Sequence, residues 1–152
     1  MFKFLNIVFI LFLGCQSNAE NKNNDSTLVW HENLESAIEL AKEEDRYILM
    51  NFTGSDWCIW CKRLSGEVFV KEQFTDYASK NLVLVKIDFP RSIEQSSETK
   101  TYNNGLAYKY GVRGFPSIIL LDSKGKLIAK TGYQPGGPEN YIKHLKKLFS
   151  RS

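Results

Sequence analysis

Tyr47-Ile48-Leu49-Met50-Asn51-Phe52-Thr53-Gly54-Ser55-Asp56-Trp57-Cys58-Ile59-Trp60-Cys61-Lys62 is the stretch that decides the fold. It opens with a short run, Tyr47 to Phe52, whose apolar residues suit a buried strand. Thr53 to Asp56 then supplies turn and helix-capping chemistry, which predicts a helix with Cys58 in its first turn. Backbone N–H groups without intrahelical partners would face a sulfur placed there, and the helix dipole favours an anion. Such settings draw a thiol pKa from about 8.5 to roughly 3.5–7.5, so a nucleophilic thiolate exists at neutral pH. Cys61 follows one helical turn later on the same face, within reach to close a small disulfide ring or to resolve a mixed disulfide. For this chemistry Cys58 must be open to an incoming partner, with Cys61 behind it.

Outward from this stretch, strand and helix patterns alternate. Upstream, Leu28-Val29-Trp30 predicts a short strand, and Asn33 caps a helix with Leu34, Ala37, Ile38, Leu40 and Ala41 on one face, ending at Glu43-Glu44-Asp45. Downstream, Leu64, Val68 and Phe69 continue the helical face, Gly66 marks a bend, and the helix is interrupted before Phe74, Tyr77 and Ala78. Leu82 to Asp88 is a second buried strand. Pro90 to Asn104 is polar and aperiodic and is expected to be a surface loop, read as plain decoration ahead of the alternative of a substrate-selecting insertion beside the thiols, followed by a short helix through Leu106, Ala107 and Tyr110 that ends at Gly111. Ser117 to Asp122, a turn at Ser123-Lys124-Gly125-Lys126 and Leu127 to Lys130 predict a hairpin. A last helix has Pro138 near its start, Tyr141, Ile142, Leu145, Leu148 and Phe149 as its apolar face, and lysines toward its end. This order implies an α/β fold, a mixed sheet covered on both faces.

With 152 residues, 43% of them hydrophobic, the chain fits one domain. Its formal charge of +3 is interleaved with acidic residues, so no basic block points to nucleic acid. Lys3 followed by the apolar Phe4 to Leu13 reads as a signal segment, too short to span a bilayer comfortably. It ends in Leu11-Phe12-Leu13-Gly14-Cys15, which resembles a bacterial lipobox with Cys15 as the lipidated residue, although Phe12 replaces the usual Leu. Residues 1–14 are thus expected to be a lipoprotein signal, 15–26 a polar tether and 27–150 the folded domain.

Trp57-Cys58-x-x-Cys61, the downstream Gly114-Phe115-Pro116-Ser117 and this order of elements make the region from Leu28 to Phe149 resemble the thioredoxin family. Trp60 between the cysteines, Lys62 after them and Glu67-Val68-Phe69 are similar to its exported branch, which includes the C-terminal domain of membrane thiol:disulfide interchange reductases. The resemblance implies a thioredoxin-like fold, Cys58 as attacking thiol, Cys61 as resolving thiol, and Pro116 as a cis-proline beside a backbone edge for an extended substrate. It further implies no cofactor beyond the Cys58–Cys61 disulfide, no metal, protein thiols and disulfides as partners, a membrane electron donor and a cell-envelope location on the periplasmic side. Many family members carry a buried acid in the strand before the motif; here the nearest polar residue is Asn51, whose amide cannot take a proton from Cys61. The intervening Ile59-Trp60 matches none of the best-known redox-setting pairs.

Trp57, Trp60 and Phe115 are expected to form an apolar docking surface, Trp57 chiefly structural and Trp60 chiefly exposed, with Tyr133 at its margin. Lys62 is expected to be a solvated helix residue, and neither His31 nor His144 is given a role. Disulfide exchange in the direction of reduction leads. Two other classes share the cysteines: a Cu(I)-binding or metal-delivery module, and a redox-inert binding or folding-assistance protein. Covalent haem is a thinner alternative, because Lys62 follows the pair where haem attachment uses His.

Overall fold

The computed structural model describes residues 28–150. The expected signal segment, the tether and Cys15 lie outside the described residues. Five strands and five helices follow in the order β1 (Trp30–His31), α1 (Leu34–Glu44), β2 (Tyr47–Thr53), α2 (Ile59–Leu64), α3 (Glu72–Asn81), β3 (Leu82–Asp88), α4 (Ser97–Lys109), β4 (Ser117–Leu121), β5 (Leu127–Thr131) and α5 (Gly137–Phe149). A π-helical turn, Ser65–Phe69, continues α2 around the expected bend at Gly66. The first strand is shorter than expected and shifted, with Leu28 and Val29 outside it.

The sheet order is β1-β3-β2-β4-β5, with β2 parallel to β3 and antiparallel to β4. The central strands β2, β3 and β4 are apolar nearly throughout because both faces are covered, which is why they read as continuous runs. On one face α1 and α4 bring Leu34, Ala37, Ala41, Leu106 and Tyr110 against Met50, Val85 and Ile119. The opposite face takes Leu64, Val68 and Phe69, Phe74 and Ala78 from α3, and Tyr141 and Leu145 from α5 against Leu49, Leu84 and Leu120. Period-two alternation assigns successive residues of β2 to the two layers.

Local rules set the ends of these elements. The Asn33 side chain accepts Ser36 N–H at 2.8 Å and starts α1, and Asp45 in the left-handed region ends it. In the hairpin, Asp122 Oδ1 accepts the N–H groups of Lys124 and Lys126, and Gly125 takes the positive φ of 82° that closes the turn. One element departs from expectation. The segment expected to be a loop from Pro90 to Asn104 is helical from Ser97, and the short helix expected at Leu106–Tyr110 is its end. Ser96 caps it by accepting Thr99 N–H at 3.1 Å, and the buried Asn103 donates to Asp88 O at 2.9 Å. A helix that turns an amide inward shows no apolar stripe.

Register brings three loops to one end of the sheet. Thr53 pairs with Asp88 and Phe52 with Ser117, so the segments leaving β2 and β3 and the segment entering β4 emerge side by side. The cysteine motif, residues 89–96 and Phe115-Pro116 occupy them.

Candidate active site

Cys58 caps α2 rather than lying inside its first turn, and the helix begins at Ile59. Its sulfur accepts the Cys61 N–H at 3.2 Å, so one N–H of the first helical turn is directed at the Cys58 sulfur, from a position one step earlier in the chain. Cys58 N–H donates to Gly54 O at 2.8 Å and closes the preceding turn. Cys58 and Cys61 are joined as a disulfide, with Cα atoms 5.2 Å apart. In this oxidised pair Cys58 is 5% and Cys61 6% exposed, so the expected contrast between an open sulfur and a covered companion is absent. The cap position accounts for it: the sulfur tucks over the helix start and is bonded to its partner.

Asp56, expected to contribute capping chemistry, instead holds the neighbouring loop. Its carboxylate accepts the Ser92 N–H at 2.6 Å and the Arg91 N–H at 3.0 and 3.1 Å. Those backbone donors, Ser92 first, hold its pKa below the usual carboxylate value. Ser55 N–H and Oγ–H both donate to Asp88, at 3.0 and 2.5 Å, and Lys62, exposed on α2 as expected, donates Nζ–H to Asp56 O at 2.8 Å.

Two aromatic residues flank the pair. Trp57, 36% exposed, donates Nε1–H to Phe89 O at 2.8 Å and meets Phe115 edge-on at 6.0 Å between centroids. Phe115-Pro116 is cis, as expected, and the Trp57–Phe115 contact joins it to the motif. Trp60, 49% exposed, contacts Tyr133 at 5.4 Å, and the Arg63 guanidinium lies over both rings. Glu67 ties this side together, accepting Tyr133 O–H at 2.5 Å and Arg63 Nε–H at 2.9 Å. The tyrosine hydroxyl and then the guanidinium lower the Glu67 pKa, and the same bond raises that of Tyr133. Tyr133 therefore does join the aromatic surface. Arg63, the pairing role of Glu67 and the Asp56 anchor were missed in the sequence; the i,i+4 spacing of Arg63 and Glu67 was the available signal.

A cavity of about 720 Å³ opens on the Cys61 side, lined among others by Asn51, Thr53, Lys62 and Lys86. Asn51 Oδ1 is buried with no hydrogen-bond partner among the described residues, and Lys86 pairs with Asp88 at 3.2 Å. Asn51 thus shares a cavity with Cys61, as its place in the strand suggested, with an acceptor that does not titrate. His144 meets Thr131 Oγ1 through Nε2 at 2.8 Å, away from the cysteines in the sequence and on α5.

Gly54 is required by close approach. A Cβ there would lie 2.5 Å from Trp57 Cε2 and 2.6 Å from Nε1, inside contact distance. Gly54→Ala should push the indole off its bond to Phe89 and cost about 1–3 kcal/mol by overpacking. A lowered urea midpoint with an altered near-ultraviolet Trp spectrum is the expected result; an unchanged spectrum contradicts it.

A cysteine pair bonded at a helix start, beside a cis-proline loop on a mixed sheet, defines a thiol:disulfide oxidoreductase of thioredoxin-like fold. The chain belongs to the thioredoxin-like domain family, whose family model matches residues 34–149. It is similar to the disulfide bond reductase DsbH of Chlamydia pneumoniae, 35% identical over 124 residues, which cover 82% of this chain and 74% of that protein. It is also similar to the thiol:disulfide interchange protein DsbD of Colwellia psychrerythraea, 27% identical over 157 residues; these cover 96% of this chain but only 24% of DsbD. A solved structure of DsbH oxidoreductase superposes with a TM-score of 0.76 at 34% identity, covering 82% of this chain and 85% of that one. Among the described residues no helix is long and apolar enough to cross a membrane.

Proposed function

We propose that this chain is a protein-disulfide reductase of the bacterial cell envelope, held to a membrane by lipid on Cys15. The observation that carries the chemistry is Cys58 at the cap of α2, its sulfur receiving the Cys61 N–H while bonded to Cys61. Once the disulfide is reduced, the same donor faces a Cys58 thiolate and favours the charged form. The names of the similar proteins, a disulfide bond reductase and a thiol:disulfide interchange protein, support exchange with protein disulfides in the reducing direction.

The thiolate of Cys58 attacks one sulfur of a substrate disulfide, forming a mixed disulfide and releasing the other substrate sulfur as a thiolate. Cys61 gives its proton to solvent and attacks Cys58 Sγ, which closes the Cys58–Cys61 bond and releases the second substrate thiol. Two electrons pass to the substrate. A membrane-borne dithiol donor restores the reduced pair by the reverse exchange. Trp57, Trp60, Phe115 and Pro116 form the surface against which the substrate segment lies.

Cys61→Ser should trap the intermediate. The purified variant, incubated with envelope extract, is expected to carry protein adducts on Cys58 that dithiothreitol releases; no adducts on an otherwise folded protein overturns the mechanism. A reduction potential near that of thioredoxin, about −270 mV, supports the reducing direction, and a value near about −120 mV reverses it. Stoichiometric copper retention by the reduced protein would favour metal delivery instead.

A further inference from the structure

The two sides of the cysteine motif differ in charge. On the Trp60 side the Arg63 guanidinium is neutralised by Glu67. On the Trp57 side the Arg91 guanidinium lies 3.8 Å from the indole centroid, with no carboxylate within ion-pair reach among the described residues. Arg113, exposed two residues before Phe115, is likewise unpaired among them.

Arg91 is held in place by other contacts. Asp56 grips the backbone N–H groups of Arg91 and Ser92, and Trp57 Nε1–H binds Phe89 O, so both ends of the tripeptide before Ser92 are fastened to the motif. The guanidinium spends its face on the indole. Its in-plane N–H edges make no hydrogen bond among the described residues, and that fork matches a carboxylate. The indole under it meets Phe115 of the cis-proline loop, so a segment crossing from Pro116 toward Cys58 passes this cation.

We propose that Arg91 is a specificity-determining residue that selects disulfide substrates carrying a carboxylate beside the attacked cysteine. This rests on the function proposed above. The Asp56 carboxylate does not compete for the guanidinium, because it is engaged by the loop N–H groups. Arg113 adds to the positive field on the same loop cluster.

The test uses the purified full chain and disulfide-bridged peptides identical except for Glu, Gln or Lys beside the target cysteine. Each rate is divided by the rate of dithiothreitol on the same peptide, which removes the effect of the flanking charge on intrinsic thiol reactivity. The expected order is Glu, then Gln, then Lys, with Glu over Lys by roughly five- to tenfold in kcat/KM at low salt. The ratio should fall toward one as salt reaches roughly 0.5 M, because the contact is exposed. In Arg91→Gln the low-salt ratio should also fall toward one, and in Arg91→Lys an intermediate ratio should remain. Equal normalised rates in the native protein, or a ratio that survives Arg91→Gln and disappears in Arg113→Gln, overturns the assignment while leaving the reductase reading intact. Failure to reduce any of the three peptides overturns both.

Discussion

Cys58→Ser is expected to lose disulfide exchange by roughly a thousandfold or more, because it removes the thiol proposed to form the first covalent bond to substrate sulfur. The hydroxyl that replaces the thiol keeps a cap acceptor, so the helix start survives. The serine cannot form the bond to Cys61, and the remaining residue Cys61 is buried and lines the cavity it shares with Asn51. Insulin reduction by the two proteins at equal concentration is the measurement, with far-ultraviolet dichroism to show that the fold is kept. Wild-type turnover by Cys58→Ser would place the attacking sulfur elsewhere and remove the basis for every role assigned around it. Cys61→Ser should behave differently, retaining the first step and stalling at the second, so the pair of variants separates attack from release.

The centre of this site was legible because several local signals agreed. The run Tyr47 to Phe52, the turn at Gly54 and the cysteine spacing all specify a strand, a turn and a helix in that order, and each is observed. The cap was misplaced by one or two residues. Asp56 has ordinary capping chemistry, and nothing near it in the chain shows that Arg91 and Ser92, some thirty-five residues later, take its oxygens. The Arg91–Trp57 stack was hidden for the same reason, since it depends on Thr53 and Asp88 ending paired strands at one level. α4 was hidden differently. Its buried residues are Asn103 and Leu106, so the helix is held partly by an amide bonded to Asp88 O and carries no apolar period, although Ser96 was present as a cap signal. The expected difference in exposure between the two cysteines is absent as well, since both residues are buried in the bonded pair.

Phe74→Ala is expected to cost about 3–5 kcal/mol of folding stability, the usual range for deleting a fully buried ring. Phe74 is wholly buried and contacts Phe69 at 5.0 Å and Tyr141 at 6.4 Å between ring centroids. It thereby ties α3 to α5 and to the π-helical turn that continues the cysteine helix, and removing it strips contacts from three elements at once. Domains of this size have about 5–15 kcal/mol in hand, so the variant should remain folded at 25 °C yet melt roughly 10–20 °C lower. Phe74→Leu, which keeps most of the volume, should lose roughly 1–2 kcal/mol. Urea unfolding followed by Trp fluorescence gives the comparison, the midpoint falling while the slope stays constant. Because its ring contacts are with Phe69 and Tyr141 and not with Trp57 or Trp60, insulin reduction at 25 °C should stay within about twofold of the native rate. A large loss of activity in a protein still folded would show that the packing behind Phe69 sets the geometry of the cysteine pair, whereas a stability loss under about 1 kcal/mol would mean that the neighbouring rings close over the gap.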